Sequence, residues 1–270
     1  IIAIILIRVF VCELGVIPSP SMLSTIKSGD WILIDKFTYG AKLPDRWSDV
    51  PVVNAFTWIP LLRQADSAVN WNNGRIPGFR PVKRSDIVVF SQKENPRVRI
   101  IKRVVGIAGD TVQIRNGRVI VNRTELKLPD TVFPTVFEEE IMTPFPSKET
   151  GWTIHNYGPI VIPSAGDSIL LNNQTFDYVK DIVAFEQGDS IVKKDSSYYL
   201  RGEPVFAYKV QQNYYFVLGD NRKNSIDSRY TGFVAANQVV GRVNMILFSY
   251  NKEKPSWYKF RNDRFFRVVD

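Results

Sequence analysis

The stretch Ile17–Phe37, IPSPSMLSTIKSGDWILIDKF, places a cluster of hydroxyl side chains immediately before an apolar segment. The second half, DWILIDKF, is dense in β-branched and aromatic residues, which favours a β-strand. A simple turn needs fewer hydroxyls, and Pro20 restricts the residue before it to extended backbone. The stretch therefore predicts a stiff loop that presents a serine nucleophile, which needs a base to remove its proton. The hydroxyls concerned are Ser19, Ser21, Ser24 and Thr25.

Closely spaced runs of β-branched and aromatic residues recur along the chain and predict a mostly β fold. Asn116-Gly117 separates VQIR from RVIV and predicts a tight hairpin. Two long segments lack this regular spacing, and we interpret them as insertions of loops and short strands. The predicted organisation is a β-core at 11–124 and 211–250 with a loop insertion at 41–84, an inserted β-rich domain at 125–210, and a basic, aromatic tail at 251–270.

The composition excludes several kinds of chemistry. The chain has one cysteine, Cys12, and one histidine, His155, so an internal disulfide and a metal site built from several Cys or His ligands are both excluded. His155 lies in a polar, turn-flanked stretch without an acidic neighbour, which favours a surface or strand histidine over a catalytic one. No metal, nucleotide or flavin motif is present, so we expect no metal and no cofactor.

The net charge of +8 would suit either a nucleic acid or an anionic membrane surface. Because zinc-finger spacing, RNP-like strands and dense basic runs are missing, we expect no nucleic-acid partner. Ile1–Ile7 is wholly apolar, and we expect residues 1–10 to be the C-terminal end of a transmembrane anchor with Arg8 near the interface. The apolar run is much shorter than the roughly 20 residues that span a bilayer. A buried N-terminal strand or helix is therefore the alternative.

Lys102 is the lysine best placed to act as a base. It lies within RIIKRVVGI, where strand alternation puts Ile100, Lys102 and Val104 on one face. Burial on an apolar face disfavours the charged ammonium and lowers the pKa of a lysine, so that a neutral amine becomes accessible. An edge lysine that extends its amine to solvent is the structural alternative.

A third motif, LGDNRKNSIDSR at Leu218–Arg229, would on its own indicate a β-turn with a surface salt bridge. In chain order, however, PSPSM, KRSDIVVF, IIKRVVGIAGD and GDNRKNSIDSR closely resemble the sequence boxes of the type I signal peptidases, which are membrane-anchored Ser/Lys endopeptidases. The resemblance covers roughly residues 8–122 and 214–248. The chain departs from the family pattern at Ser24 and Ala108, where the family usually has proline.

The resemblance implies a β-core of coiled antiparallel sheets at the outer, periplasmic face of a bacterial inner membrane. The implied reaction is removal of signal peptides from exported preproteins at Ala-x-Ala-like sites by a serine–lysine dyad. The implied roles are nucleophile for Ser21, general base for Lys102, oxyanion-hole donor for Ser19, lysine-orienting hydroxyl for Ser225, a turn near the site for Gly219, Asp220 and Asn221, and a structural ion pair for Asp227 and Arg229.

Two further features concern substrate and membrane. We expect shallow, apolar substrate pockets that accept small side chains, and we expect membrane lipid to contact the apolar patch AFTWIPLL at 55–62 or the aromatic edge near Trp31. The candidate pocket residues lie on strands beside Ser21 and Lys102, namely Ile32, Ile34, Val88 and Ile100.

Three other kinds of protein are alternatives to a type I signal peptidase. Ser24-Thr-Ile-Lys27 fits the S-x-x-K pattern of β-lactamases, but a strand follows at once and the S-D-N and K-T-G motifs are missing. A self-cleaving repressor core would bring a helix-turn-helix, where this chain has an apolar segment. A non-catalytic, membrane-tethered β-rich binding protein derived from such a peptidase is the alternative from another class.

Overall fold

The structure is a computed structural model, and it describes residues 2–50, 58–69, 71, 74–129, 132, 142–146, 150–251 and 259–269. The helices are α1 (Ile2–Leu6), α2 (Pro60–Ala68), α3 (Phe176–Gln187) and α4 (Ser228–Thr231). The strands are β1 (Cys12–Val16), β2 (Asp30–Asp35), β3 (Ile87–Ser91), β4 (Arg99–Gly106), β5 (Thr111–Arg115), β6 (Arg118–Val121), β7 (Thr124–Glu125), β8 (Tyr157–Val161), β9 (Ser168–Leu170), β10 (Val192–Lys194), β11 (Ser197–Leu200), β12 (Glu203–Pro204), β13 (Ala207–Lys209), β14 (Tyr214–Leu218), β15 (Val234–Ala235), β16 (Val239–Ser249) and β17 (Arg267–Val268). The predicted mostly β fold is confirmed, with 33% of residues in strands against 21% in helices.

One curled antiparallel sheet joins distant parts of the chain. Its strand order is β1-β2-β16-β3-β4-β14-β15, with β17 paired to β16. Strand β16, from near the C-terminus, therefore lies between β2 and β3 from the first third of the chain. This pairing brings the loop before β2 and the turn after β14 to the same part of the sheet as β4. The predicted division of the chain into domains remains a prediction.

A second, four-stranded sheet has the order β7-β6-β5-β8 and carries the predicted hairpin. Asn116 and Gly117 have φ values of 49° and 78° between β5 and β6. Both central residues of a type I′ turn need positive φ, which asparagine and glycine adopt at low cost. The hairpin prediction is confirmed. The backbone carbonyl of His155 accepts a hydrogen bond from the Gly117 amide at this turn.

Two helices lie where we predicted loops and short strands. Helix α2 lies in the 41–84 insertion and begins at Pro60, a residue suited to the first helical position. Helix α3 lies in the segment 125–210 that we expected to be β-rich. It buries Val179, Ile182 and Val183 on one face and ends at Gly188, which has a φ of 65°. The apolar residues at helical spacing in this segment are few and lie among strand-forming residues. The expectation of a β-rich segment therefore missed this helix.

The N-terminal region also differs from expectation. Helix α1 is followed by a π-helical turn over Ile7–Val11, and strand β1 then pairs with β2. Antiparallel pairing with β2 outweighs the local preference of this segment. In the part of the chain that the structure describes, no helix has both the length and the apolar character that crossing a bilayer requires. Of the predicted lipid-contacting patch, residues 55–57 lie outside the described residues.

Candidate active site

The loop that bears Ser21 is attached to the core by apolar side chains on either side of the hydroxyls. Ile17, Met22 and Ile26 are at most 4% exposed and belong to the cluster beneath β2 and β16. Ser19 between them stays exposed and Ser21 partly so. The buried apolar residues thus anchor the loop to the core, and the hydroxyls between them, including that of Ser21, remain at the surface.

Lys102 lies on β4 with its side chain directed to Ser21. Its Nζ donates a hydrogen bond of 2.7 Å to Ser21 Oγ, although 81 residues separate the two along the chain. Lys102 is only 4% exposed, and on the adjacent strand it faces Val88 in register. The structure therefore brings the predicted nucleophile and the predicted base into direct contact on a largely water-free face.

Burial is the main reason why the pKa of Lys102 lies below its ordinary value. Asp227 and Asp220 act against this shift and the charge of Arg229 adds to it. Both carboxylates are engaged by arginine, Asp220 with Arg103 and Asp227 with Arg229. Because each nearby carboxylate already has a cationic partner, the surroundings favour the neutral amine of Lys102.

The predicted turn residues hold the Ser21 loop through its backbone. The Asn221 amide donates to the Ser21 carbonyl at 3.1 Å, and Asn221 Nδ2 donates to the Pro20 carbonyl at 3.0 Å. The Asp220 amide contacts Met22 Sδ at 3.3 Å. These contacts lock the loop to the turn after β14, so the two segments move as one unit.

Ser19 and Ser225 lie beside the Ser21 loop. Ser19 Oγ is 3.4 Å from Ser21 Oγ, close enough to reach an oxygen that forms next to the nucleophile. Ser225 is 3% exposed, but its hydroxyl makes no hydrogen bond. The lysine-orienting bond that the resemblance implied is therefore not formed, and Lys102 donates to Ser21 instead. The Ser225 hydroxyl packs against Gly219.

Asp227 and Arg229 form a buried ion pair behind the dyad. Arg229 Nε and Nη2 donate to the two carboxylate oxygens at 2.8 and 2.9 Å, and the Gly219 amide donates to the same carboxylate at 3.0 Å. Asp227 also caps the N-terminus of α4. Burial by itself raises the pKa of Asp227, but the charge and hydrogen bonds of Arg229 outweigh it and the pKa falls below its usual value.

Sequence reasoning missed the role of Arg103. Its side chain is completely buried and donates two hydrogen bonds to Asp220, at 2.9 and 2.8 Å, and one to the Ser85 carbonyl at 2.8 Å. Thr25 Oγ1 donates to the same Asp220 carboxylate. An arginine within the apolar run of β4 was the available signal, because a buried guanidinium requires a carboxylate partner.

The candidate pocket residues lie mainly in the core. Ile32, Ile34 and Val88 are at most 6% exposed and pack within apolar clusters. Ile100 is partly exposed and lines a cavity next to β4. Their role in substrate pockets remains a prediction. Among the described residues, no group of three or more His, Cys, Asp or Glu side chains is arranged to hold a metal ion.

Gly219 has no room for a side chain between Ser225 and the Ser21 loop, and Gly219→Ala should impair the site. A Cβ there would lie 2.2 Å from Ser225 Oγ and 2.6 Å from the Ser21 carbonyl oxygen. We expect peptidase activity to fall strongly and the free energy of unfolding to fall by about 1–3 kcal/mol, the usual range for overpacking. Peptide cleavage and urea unfolding measure the two effects.

Gly74→Ala is the matched control, because a Cβ at Gly74 meets no atom within 4 Å. It should leave both activity and unfolding free energy unchanged. Equal effects of the two substitutions would contradict the close approach at Gly219.

Comparison with known proteins places this chain in a family. A family model described as signal peptidase, peptidase S26, matches residues 1–248. A signal peptidase I from Buchnera aphidicola subsp. Schizaphis graminum is 30% identical over 263 residues, covering 93% of this chain and 73% of that relative. A signal peptidase I from Helicobacter pylori strain 26695 is 29% identical over 251 residues, covering 92% of this chain and 79% of the relative.

A crystal structure of a signal peptidase I from Enterococcus faecalis V583 overlaps 60% of this chain and 97% of its own, with 22% identity and a TM-score of 0.32. This overlap is too loose to support any conclusion about the site. The sequence relatives and the family model define the class of protein: it is a serine endopeptidase. The chain belongs to the signal peptidase family, peptidase S26. Membership makes it a serine peptidase that cleaves signal peptides, with preproteins as substrates.

Proposed function

We propose that Ser21 and Lys102 form the catalytic dyad and cleave preproteins after Ala-x-Ala-like sequences. The observation that carries this proposal is the 2.7 Å hydrogen bond between Ser21 Oγ and a lysine amine that is 4% exposed. A serine is a weak nucleophile until a base takes its proton, and a lysine can serve only when its amine is neutral. The lowered pKa of Lys102 makes its neutral amine more accessible than that of an ordinary lysine.

The reaction is acyl transfer in two halves. Neutral Lys102 accepts the Ser21 proton while Oγ bonds to the scissile carbonyl carbon, and the negative oxygen that forms is held by the Ser21 amide and the Ser19 hydroxyl. The carbon–nitrogen bond then breaks, and the ammonium of Lys102 protonates the leaving amine. A water molecule gives its proton to Lys102 and attacks the acyl carbon, and the Lys102 ammonium then protonates Ser21 Oγ as the ester bond breaks and the carboxylic acid product leaves. A single oxyanion donor typically contributes about 2.7–4 kcal/mol of transition-state stabilisation.

The test is cleavage of a peptide that carries Ala-x-Ala before the scissile bond. The wild-type chain should cut after the second alanine, and Ser21→Ala should abolish the reaction. Ser28→Ala is the control from the same loop, because Ser28 is exposed and its hydroxyl donates only to the Pro18 carbonyl. Undiminished cleavage by Ser21→Ala would exclude the dyad. Binding of the peptide by the wild type without cleavage would instead favour the non-catalytic binding protein.

We also propose that the catalytic face works at a membrane surface, on the outer side of a bacterial inner membrane. Exposed apolar side chains occur on α1, where Ile2 and Ile4 are 76% and 68% exposed, and on α2, where Leu61 is 75% exposed. The net charge of +8 adds attraction to anionic headgroups. The Trp31 ring stacks on the Phe248 ring and extends the aromatic edge of the sheet.

Vesicle flotation tests the membrane proposal. The chain should float with vesicles that contain phosphatidylglycerol and should bind less as salt increases, since the screening length shortens. Leu61→Asp should reduce the floating fraction, whereas Val192→Asp, at a similarly apolar and exposed position on β10, should not. No flotation by the wild type would refute lipid contact.

A further inference from the structure

A cavity of about 310 Å³ lies between helix α3 and the face of the large sheet that carries Lys102. Its volume is near the lower end of the range of about 300–1,000 Å³ that is typical of ligand sites. The wall is mostly apolar and aromatic, which suits a side chain rather than a charged group. The apolar lining includes Phe90, Ile100, Phe145, Ile182, Phe185 and Phe233.

The cavity lies next to Lys102 on β4, because Ile100 lines it and lies on the same face of the strand as Lys102. Ile100 precedes Lys102 by two residues, so the two side chains share one face of the strand with Cα atoms about 7 Å apart. Phe90 pairs with Ile100 across the β3–β4 ladder, as Val88 pairs with Lys102. Ile226, next to Ser225 and 53% exposed, lines the cavity on the side of the active-site turn.

The position of the cavity beside Lys102 indicates from which side of the scissile bond its occupant comes. In the proposed reaction, Lys102 gives its proton to the amine that leaves, so the part of the substrate after the scissile bond must lie on the lysine side of Ser21. We propose that this cavity binds an apolar side chain from the first two residues after the scissile bond. This inference rests on the proposed function and adds a specificity site for the mature part of the preprotein.

The rim supports an apolar occupant. Asp181 and Glu94 line the cavity with Lys93, and Lys93 Nζ donates to the Asp181 carbonyl at 3.2 Å, which joins the loop after β3 to α3. Asp227 lines the wall as well. Asp181 and Glu94 against one lysine disfavour an acidic side chain, while the Asp227 carboxylate is already paired with Arg229. Helix α3, which the inserted segment contributes, therefore takes part in substrate selection by closing the cavity.

The test uses peptides that are identical up to the scissile bond and carry Leu, Phe, Gly or Glu at the first or second position after it. At one of these positions the wild type should cleave the Leu and Phe peptides with a kcat/KM at least roughly tenfold above that of Gly, the usual yield of filling an apolar pocket. Glu should be the poorest substrate. Phe185→Ala should reduce the Leu-to-Gly ratio several-fold.

Phe176→Ala is the matched control. Phe176 is also a half-buried phenylalanine of α3 packed against the same core cluster, but it contacts Tyr198 and does not line the cavity. It should keep the wild-type ratio. Ile226→Trp, at an exposed position that cannot unfold the core, should lower cleavage of the Leu and Phe peptides more than that of the Gly peptide.

Three negative results are possible, and they do not all contradict the same proposal. Wild-type enzyme that cleaves all peptides at the same rate, in a reaction that Ser21→Ala abolishes, would overturn the cavity proposal and leave the dyad intact. Cleavage that survives Ser21→Ala would overturn the proposed function itself. An equal loss of the Leu-to-Gly ratio in Phe185→Ala and Phe176→Ala would also refute the cavity, since only one of the two side chains lines it.

Discussion

Lys102→Met should lower the rate of cleavage of the Ala-x-Ala peptide by roughly 10⁴–10⁶-fold, as expected when one member of a catalytic unit is removed. Methionine matches the length and apolar stem of lysine but cannot accept the proton of Ser21. Because Lys102 is 4% exposed, the substitution preserves the packing of β4. Single-turnover and steady-state cleavage assays measure the loss, and Lys127→Met at an exposed position is the control.

The pH profile separates a catalytic role of Lys102 from a structural one. Below the lowered pKa of Lys102 the amine is protonated and cannot act as a base, so kcat/KM should rise as the pH increases through that pKa. A profile that stays flat as the pH rises, or activity that persists in Lys102→Met, would contradict the dyad.

The ionisation of Lys102 should also make the free energy of unfolding depend on pH, and the lowered pKa fixes the direction of that dependence. Between the lowered pKa of Lys102 in the folded state and its ordinary value of 10.5, the unfolded chain binds more protons than the folded one. The free energy of unfolding should therefore rise with pH through this window. In Lys102→Met that contribution disappears, which urea unfolding at several pH values can detect.

Asp227→Ala should cause the largest loss of stability. The substitution leaves Arg229, 1% exposed, without the carboxylate that accepts from its Nε and Nη2. Breaking a buried ion pair by removing one partner typically costs about 3–5 kcal/mol. It also removes the acceptor for the Gly219 amide, so the turn that holds Ser21 should loosen and cleavage should fall.

The control for Asp227→Ala is Asp189→Ala, which removes the exposed ion pair with Arg201. Exposed pairs contribute little to stability, so unfolding by urea should barely change. The wild type should also lose stability in acid as Asp227 is protonated, because its pKa is lower in the folded chain than in the unfolded one. Equal unfolding midpoints for wild type and Asp227→Ala would contradict the role of this ion pair.

The local sequence determined the elements whose conformation is encoded within a few residues. Asn116-Gly117 specified its hairpin because both residues tolerate positive φ, and the density of β-branched and aromatic residues in DWILID specified a strand, β2. The short motifs around Ser21, Lys102 and Ser225 pointed to the serine–lysine chemistry through their resemblance to a family. Each of these predictions can be made without knowing how distant segments of the chain pair.

Only the tertiary structure decided which distant groups meet. Residues 81 positions apart form the Ser21–Lys102 contact, and residues 117 apart form the Arg103–Asp220 pair. These contacts depend on strand register and on the insertion of β16 between β2 and β3, neither of which a local pattern encodes. Helix α3 and the cavity beneath it arise in the same way, because packing against the sheet outweighs the weak local preference. The burial that lowers the pKa of Lys102 is therefore a property of the assembled fold, since desolvation depends on every segment that covers the amine.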